Sequence, residues 1–540
     1  MRNIDSDSRL KALEQRVIHW AHVHGRTLPE MRFFILDGME FASLLEKHVY
    51  PTSPINIWEG KSMVSRRYRI EEGLESSIYY EVVQTGNPSY AYLNDTNSEC
   101  MQASVMAHVV GHCEFSELNV LRDSNLDRTE HVMHLVRKVD LGRRQMGDLH
   151  YTRFWNAAES VVDLIAPNSQ YNLQRSVDSE TRIQSKNDDP MEQEELQGPY
   201  MPFSSTMDAL LVMEDRQTAF EREIRQRQRQ ETLSRRGYKL RAPCQDVLGF
   251  LRSYAPATQA ERNILDYLYV THQTHDFVIR TQIMNEGWAM TWENTIMHEL
   301  FKERAVGDII DYCKVFSGVC FPRPWFQRNP YHLGYHMWRH IKQLYADGKV
   351  TLEYAEEISM EKRENWKKPQ SQDPLAAMEH LVSTVTDYEF LRRFLTPELI
   401  HEFQLNRLHK QMAQRLGISP KDVVQESQSH VWINPEPIKT EMLNFFTHFY
   451  RPRIYIIDTD FQDGGLLLMH RNDGRRLRED WVKPTLRNLN MIWKGPVSLV
   501  SSNTLYGFSA NTYKETAISE VSFEQVTARM QRDEKPFNVG

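Results

Sequence analysis

The stretch SECMQASVMAHVVGHCEF, residues 98–115, is the part of the sequence that most clearly indicates the fold. Its apolar residues extend around two histidines, His108 and His112, which predicts a buried helix. Histidines four residues apart project from one helix face about one turn apart, so both imidazoles can reach one metal ion. Buried imidazoles need polar partners, and a metal ion is one such partner. This pair is therefore the first candidate for a functional site.

A second interpretation of the pair stays open. The chain has 21 histidines, so a spacing of four arises easily by chance. Two histidines in a buried helix can also be satisfied by neighbouring polar groups without any ion. The spacing alone leaves metal ligation and a hydrogen-bonded polar pair as alternatives.

The stretch NEGWAMTWENTIMHELFKERA, residues 285–305, supplies a possible third ligand. Its opening resembles the helix start that provides a ligating glutamate in zinc aminopeptidases of the gluzincin type. The resemblance implies a ligand set of His108, His112 and Glu286, as in catalytic zinc sites with one open position. Zinc or another divalent metal is then the expected cofactor. The alternative for Glu286 is a charge near a helix N-terminus or a structural salt bridge.

The proton acceptor of such an enzyme would be unusual. In the HExxH motif the residue after the first histidine is the glutamate that acts as general base, and here that residue is Val109. Glu293 lies seven residues after Glu286, two helical turns further on, so the same face could present it as a fourth ligand or as the base. Glu114 is the other candidate base.

A competing histidine series lies at His332, His336 and His340. Arg339 and Lys342 lie close to it in the sequence, which predicts a solvent-exposed helix face rather than a ligand set. The pair in residues 98–115 therefore stays the better candidate.

The composition is that of a globular protein. The 540 residues suffice for two to four domains, with 40% hydrophobic and 26% charged residues. A net charge of −8 provides no general attraction to nucleic acid, and none is expected as a partner. The chain has no run of about 18 apolar residues, so no integral membrane segment is expected. The polar N-terminus and five sparse cysteines favour a cytoplasmic location with reduced thiols.

Hydrophobic periodicity predicts an α+β fold. A large, mainly helical domain, in which a zincin-like helix pair is possible, is expected over residues 1–420 and a small α/β domain over 421–515, followed by a polar tail at 516–540. Residues 167–206 are rich in Ser, Asn, Gln, Asp and Glu, which predicts an exposed polar insertion.

Local patterns predict several elements within these domains. Residues from about 7 to 48 are typical of helix with short interruptions. RPRIYIIDTD (451–460) and GGLLLMHRNDG (464–474) are β-rich and separated by turn residues, which predicts a hairpin, and GPVSLVSS (495–502) predicts a third strand. No Walker A, GxSxG or dinucleotide-binding GxGxxG motif occurs, so nucleotide and serine-hydrolase chemistry have no support.

Ordered blocks along nearly the whole chain resemble the stage V sporulation protein R (SpoVR) family. The matching blocks are YYEVVQTGNPSYAYL, VMAHVVGHCEF, TQIMNEGWAMTW, NPYHLGYHMW, FLRRFLTPELI, RIYIIDTDFQDGGLLLMHRNDGRRL and TLRNLNMIWKGPVSLVS. The resemblance implies a bacterial, cytoplasmic protein of a family associated by name with spore cortex formation and present also in bacteria that make no spores. It does not supply a biochemical activity.

The chain departs from this family pattern at several places. Where the family has a residue pair ending in histidine, this chain has Trp292-Glu293, and where the family has Asp-Phe-Phe, it has Glu114-Phe115-Ser116. The His-Ser of the family is replaced by Phe316-Ser317, and its histidine–tryptophan segment is replaced by Asn56-Ile57-Trp58. Because Glu293 stands where the family has histidine, a family-type metal centre would be altered in this chain.

The combined expectation is a SpoVR-like cytoplasmic protein of sporulation, cell-envelope or stress physiology. It would bind one divalent metal and is a candidate metal-dependent hydrolase. The alternative is a non-enzymatic regulator or scaffold with a structural or vestigial metal site. The sequence leaves the substrate, the metal, any protein partner and the oligomeric state open.

Overall fold

The structure is a computed structural model. It describes residues 2–37, 40–41, 82–121, 128–166, 240, 242–368, 373–448, 451–462, 464–473, 477–532 and 534–537. The polar insertion predicted at 167–206 and the family departure at 56–58 lie outside the described residues.

The described elements confirm an α+β fold. The helices are α1 (Ser8–Val23), α2 (Glu99–Leu118), α3 (Arg128–Met146), α4 (Asp148–Glu159), α5 (Val247–Tyr254), α6 (Gln259–Lys302), α7 (Ile309–Val319), α8 (Pro330–Asp347), α9 (Leu352–Glu356), α10 (Met360–Glu364), α11 (Pro374–Thr384), α12 (Asp387–Phe394), α13 (Pro397–Glu402), α14 (Lys410–Arg415), α15 (Pro435–His448), α16 (Glu479–Trp493) and α17 (Phe523–Gln531). The strands are β1 (Arg2–Asn3), β2 (Met31–Leu36), β3 (Val82–Gln84), β4 (Ser89–Asn94), β5 (Arg407–His409), β6 (Val423–Glu426), β7 (His430–Ile433), β8 (Arg453–Phe461), β9 (Gly465–Arg471), β10 (Val497–Ser501), β11 (Thr504–Ser509) and β12 (Thr512–Ala517).

The chain divides into two compact units, each built from two separate segments. The first contains residues 1–133 and 274–449, and the second contains residues 134–273 and 450–540. The two units are defined by which residues pack together in space rather than by their order along the chain. The domain boundaries predicted along the chain, at 420 and 515, stay a prediction.

The described residues of the first unit form two small sheets. One has the strand order β1-β2-β4-β3, in which β2 and β4 run parallel, and the other has the order β5-β7-β6. Strand β2 lies inside the stretch 7–48, for which helix was predicted, so that prediction was wrong at 31–36. The register of this strand with β4 explains the difference, because pairing in a sheet overrides weak local propensity.

Helix α2 forms because Ser98 accepts a hydrogen bond from the Met101 backbone N–H as N-cap, ahead of a long run of apolar residues. Every residue from Gln102 to Phe115 is buried. A helix buried on all faces is a core element, so the predicted burial of the histidine pair is confirmed.

Helix α6 is 44 residues long, and its residues from 274 onward belong to the first unit. The NEGWA segment therefore lies inside a helix, whereas the aminopeptidase segment that it resembles lies at a helix start. A charge at a helix N-terminus is accordingly not the explanation for Glu286.

The second unit contains a five-stranded sheet with the order β12-β11-β10-β9-β8. The predicted hairpin is confirmed as the antiparallel pair β8 and β9, and β10 is the predicted third strand, parallel to β9. Helix α16 connects β9 to β10, as a parallel crossover requires. The segment expected to be a polar tail contains helix α17. Ser522 and Gln525 form a capping box at the start of this helix, and its residues Val526 and Met530 are buried.

Candidate metal centre

Two glycines let three helices of the first unit approach unusually closely. A Cβ atom on Gly111 of α2 would lie 2.4 Å from the Cα atom of Ala289 on α6. A Cβ atom on Gly287 of α6 would lie 2.2 Å from the carbonyl carbon of Gly334 on α8. Neither distance is possible between real atoms, so only glycine fits at these crossings. The side chains beside the α2–α6 crossing are thereby brought within hydrogen-bonding distance.

His108 and His112 of α2 converge on Glu286 of α6. The Nε2 atoms of His108 and His112 lie 3.4 and 3.3 Å from the same Glu286 oxygen, Oε2. One potential ligand atom from each of the three residues lies within 4.8 Å of the other two. The tertiary structure thus brings together the three residues that the sequence predicts as ligands, although 174 or more positions separate the histidines from the glutamate in the chain.

The other nitrogen of His108 faces Glu293. Its Nδ1 atom lies 2.8 Å from Glu293 Oε2, and Ser104 Oγ donates a hydrogen bond of 2.6 Å to Glu293 Oε1. Both carboxylate oxygens are therefore engaged. Ser104, His108 and His112 are spaced by four residues and form one stripe on α2, opposite the stripe of Glu286 and Glu293 on α6.

The other nitrogen of His112 faces an amide. Its Nδ1 atom lies 2.9 Å from Asn285 Oδ1. Each histidine thus has an oxygen acceptor at Nδ1 and directs Nε2 toward Glu286. Tyr331, the second residue of α8, also lies near, with its ring centroid 6.0 Å from that of His108.

The site is buried, and its titratable groups face one another. His108 and His112 are 4% and 5% exposed. Burial raises the pKa of Glu286, but the charges and hydrogen bonds of His112 and His108 outweigh it and lower the pKa overall. A carboxylate that faces two imidazoles at these distances is an arrangement that can hold a cation among the three groups.

The backbone before Glu286 is held from outside its helix. Ile283 and Met284 donate their backbone N–H groups to the two oxygens of Asp387, at 2.8 and 2.9 Å, and Trp338 Nε1 donates to the Met284 carbonyl at 2.9 Å. Burial raises the pKa of Asp387 to about 8, against these two hydrogen bonds from the backbone. Two residues remote in sequence thus fix the helical turn that presents Glu286.

Glu114 lies in a different environment. Its Oε1 atom accepts a hydrogen bond of 3.1 Å from Arg26 Nη1, and its Oε2 atom accepts one of 2.9 Å from Trp288 Nε1. Burial raises the pKa of Glu114, against the charge of Arg26. Both of its oxygens are therefore used in a buried ion pair, and its predicted role as a base stays untested.

The competing histidine series is more buried than predicted. His332 is 6% exposed, and its two ring nitrogens lie 2.8 and 3.0 Å from the backbone carbonyls of Cys320 and Phe403. Burial lowers the pKa of the next histidine, His336, to about 4. The predicted exposed face was wrong for His332, because α8 packs its first turns into the core. Two backbone carbonyls, rather than ligand residues, therefore lie at the nitrogens of this ring.

Comparison with known proteins identifies the family. A family model described as "SpoVR like protein" matches residues 7–434, and the chain belongs to that family. A curated relative, "Uncharacterized protein YcgB" of Escherichia coli (strain K12), is 24% identical over 470 residues, which cover 83% of this chain and 84% of the relative. No solved structure matches the chain significantly. Within the described part of the chain, no helix has the length and apolarity needed to cross a membrane.

Sequence reasoning assigned no role to Ser104, Asn285 or Asp387. Ser104 lies one turn before His108 on the same stripe, and Asn285 precedes Glu286, so spacing could have signalled both. No local pattern connects Asp387 with Met284, because the two residues are 103 positions apart.

Proposed function

We propose that this SpoVR-family protein binds one divalent metal ion, zinc in the first instance, through His108, His112 and Glu286. The separations between ligand atoms carry the proposal. A tetrahedral ion with bonds of about 2.0 to 2.2 Å keeps its ligand atoms about 3.4 Å apart. The two Nε2 atoms lie 3.4 and 3.3 Å from Glu286 Oε2, which agrees with that spacing.

The donor set also supports the choice of metal. Imidazole nitrogens suit zinc and other borderline ions, whereas magnesium and calcium prefer oxygen ligands. Three protein ligands would leave one position open. A zinc ion bound there would supply a Lewis acid that polarises a carbonyl group or increases the acidity of water.

A metal-binding regulator or scaffold fits the contacts better than a hydrolase does. A hydrolase needs a proton acceptor within hydrogen-bond reach of the reacting water. Val109 cannot serve, and Glu293 and Glu114 each have both oxygens engaged. The position that three protein ligands would leave open on the ion keeps metal-dependent hydrolysis as the second candidate. On either account we place the protein in the cytoplasm, in sporulation, cell-envelope or stress physiology.

Metal content by elemental analysis tests the proposal. We expect the purified full-length protein to contain about one zinc or similar ion per chain. The double substitution His108→Ala with His112→Ala removes two ligands, so the metal should be lost while the helical circular dichroism signal is kept. His336→Ala with His340→Ala is the matched control, because it removes an equally spaced pair from α8.

Two outcomes would contradict the proposal. Full metal retention in the His108→Ala and His112→Ala protein would place the metal elsewhere. A protein that binds no divalent ion, even after dialysis against zinc, would leave the three residues as a buried polar cluster, in which a proton joins Glu286 to the imidazoles.

A further inference from the structure

The two histidines of the proposed centre have chemically different outer partners. His108 Nδ1 faces the carboxylate of Glu293 at 2.8 Å, whereas His112 Nδ1 faces the amide oxygen of Asn285 at 2.9 Å. An ionised carboxylate and an amide oxygen can only accept, so each Nδ1 atom carries the proton and donates it. In a neutral imidazole this leaves the lone pair on Nε2, the atom that faces Glu286.

We propose that Glu293 and Asn285 are positioning residues that hold His108 and His112 in the tautomer required for metal binding, and that Glu293 makes His108 the stronger ligand. This inference rests on the proposed function. A negatively charged acceptor at Nδ1 increases the electron density on the ring, and with it the basicity of Nε2, whereas a neutral amide does so less.

The surroundings of Glu293 fit this role. Its side chain is 8% exposed, and its two oxygens are held by Ser104 and His108. A carboxylate fixed in this way orients the His108 ring about its bond to the helix. The ion would bind on the Nε2 side of the His108 ring, whereas the Glu293 carboxylate lies on the Nδ1 side. These contacts therefore support Glu293 neither as a fourth ligand nor as the base.

The two outer acceptors come from one element of the fold. The outer acceptors of ligating histidines tune metal affinity. Here the acceptor comes from a residue that lies on the same helix as Glu286 and two turns away. One helix thus supplies a ligand and both outer acceptors, Glu293 and Asn285.

Zinc affinity of the metal-depleted full-length protein, measured by competition with a chromophoric chelator, tests the inference. We expect Glu293→Gln to weaken the affinity about 10- to 100-fold and to keep one zinc per chain. Glu286→Gln, the same change at a ligand, should abolish stoichiometric binding. Glu299→Gln is the matched control, because Glu299 lies on the same helix and pairs with Lys302 at 2.8 Å. Its affinity should equal that of the unsubstituted protein.

Coupling to His108 distinguishes positioning from a general structural effect. If Glu293 acts through His108, adding Glu293→Gln to a His108→Ala protein should change the residual affinity no further. In the cobalt-loaded protein, Glu293→Gln should shift the ligand-field absorption bands, and Glu299→Gln should not. Should Glu293→Gln misfold, Ser104→Ala provides the same test by removing one donor to Glu293, with a smaller loss of affinity.

Three other outcomes would contradict either the proposed metal site or the positioning role of Glu293. If the unsubstituted protein binds no zinc, both the proposed function and this inference fail. If it binds zinc and Glu293→Gln binds equally tightly, only the positioning role fails. If Glu293→Gln loses stoichiometric binding as Glu286→Gln does, Glu293 is itself a ligand and the positioning role is again wrong.

Discussion

At the scale of single residues, Arg26 is the centre of a buried charge cluster beside the proposed site. Its Nη1 atom lies 3.1 Å from Glu114 and 2.8 Å from Glu379, and its guanidinium carbon lies 4.1 Å from the centre of the Trp292 ring. Arg26 is 4% exposed and Glu114 is 2% exposed. A buried carboxylate depends strongly on such a partner, because water cannot replace it.

We predict that Arg26→Met destabilises the protein by about 3 to 5 kcal/mol, because it leaves Glu114 buried without its cation. Adding Glu114→Gln should recover a large part of this loss, since the uncompensated charge is removed. Urea unfolding of the single and the double variant measures both effects. Arg16→Met is the control: Arg16 is 54% exposed and lies 3.5 Å from Glu303, and such a surface pair contributes about 0 to 1 kcal/mol. Equal losses from Arg16→Met and Arg26→Met would contradict the prediction.

At the scale of elements, the crossings at Gly111 and Gly287 set the distances within the site. The backbone of α6 approaches α8 at Gly334 so closely that a Cβ atom on Gly334 would lie 2.0 Å from the Ile283 carbonyl oxygen. Backbone atoms cannot rotate away as a side chain can, so a methyl group there must push the helices apart. The residues that follow on α6 would move with it.

We predict that Gly287→Ala destabilises the protein by about 1 to 3 kcal/mol or more and lowers metal affinity, because it separates α6 from α8 beside Glu286. Gly318→Ala is the control. Gly318 also lies in a helix, α7, but a Cβ atom there would meet nothing within 4 Å. That change should be neutral or stabilising by about 0.5 to 1 kcal/mol, because alanine favours helix more than glycine does. Thermal unfolding and zinc titration of both variants provide the measurement, and a stable, fully metal-binding Gly287→Ala protein would show that the crossing tolerates a side chain.

At the scale of the whole molecule, Asp387 links folding to pH. It is fully buried, and burial raises its pKa from 3.8 to about 8. Between these values the folded protein holds a proton that the unfolded chain has released. The contribution to stability is therefore fully present below the unfolded pKa and is lost as pH rises through the folded pKa.

We predict that the free energy of unfolding falls relative to that of Asp387→Asn as pH rises from 5 to 8, by up to about 1.4 kcal/mol per pH unit. Asparagine does not titrate, so the difference between the two proteins isolates residue 387. Urea unfolding in the presence of a chelator, at several pH values across this range, measures it. A difference that stays constant across this pH range would show that Asp387 is already a carboxylate in the folded protein.

Local sequence determined the elements that depend only on neighbours in the chain. The stripe of Ser104, His108 and His112 follows from a helical repeat of 3.6 residues, and the β8–β9 hairpin follows from two β-rich runs around a short turn. The all-round apolar character of α2 also predicted its burial. The metal ligands derived from these patterns stay a prediction that elemental analysis can test.

Only the tertiary structure decided which faces meet. Periodicity shows that a helix has a buried face but not which residues lie opposite it, and partners such as Glu293 and His108 are 185 positions apart. For the same reason, the sequence patterns did not predict that Glu114 pairs with Arg26 or that Asp387 binds the backbone before Glu286. They also did not predict strand β2, because its conformation depends on its register with β4. Long-range contacts depend on packing geometry and on close approaches such as that at Gly287, which no local pattern contains.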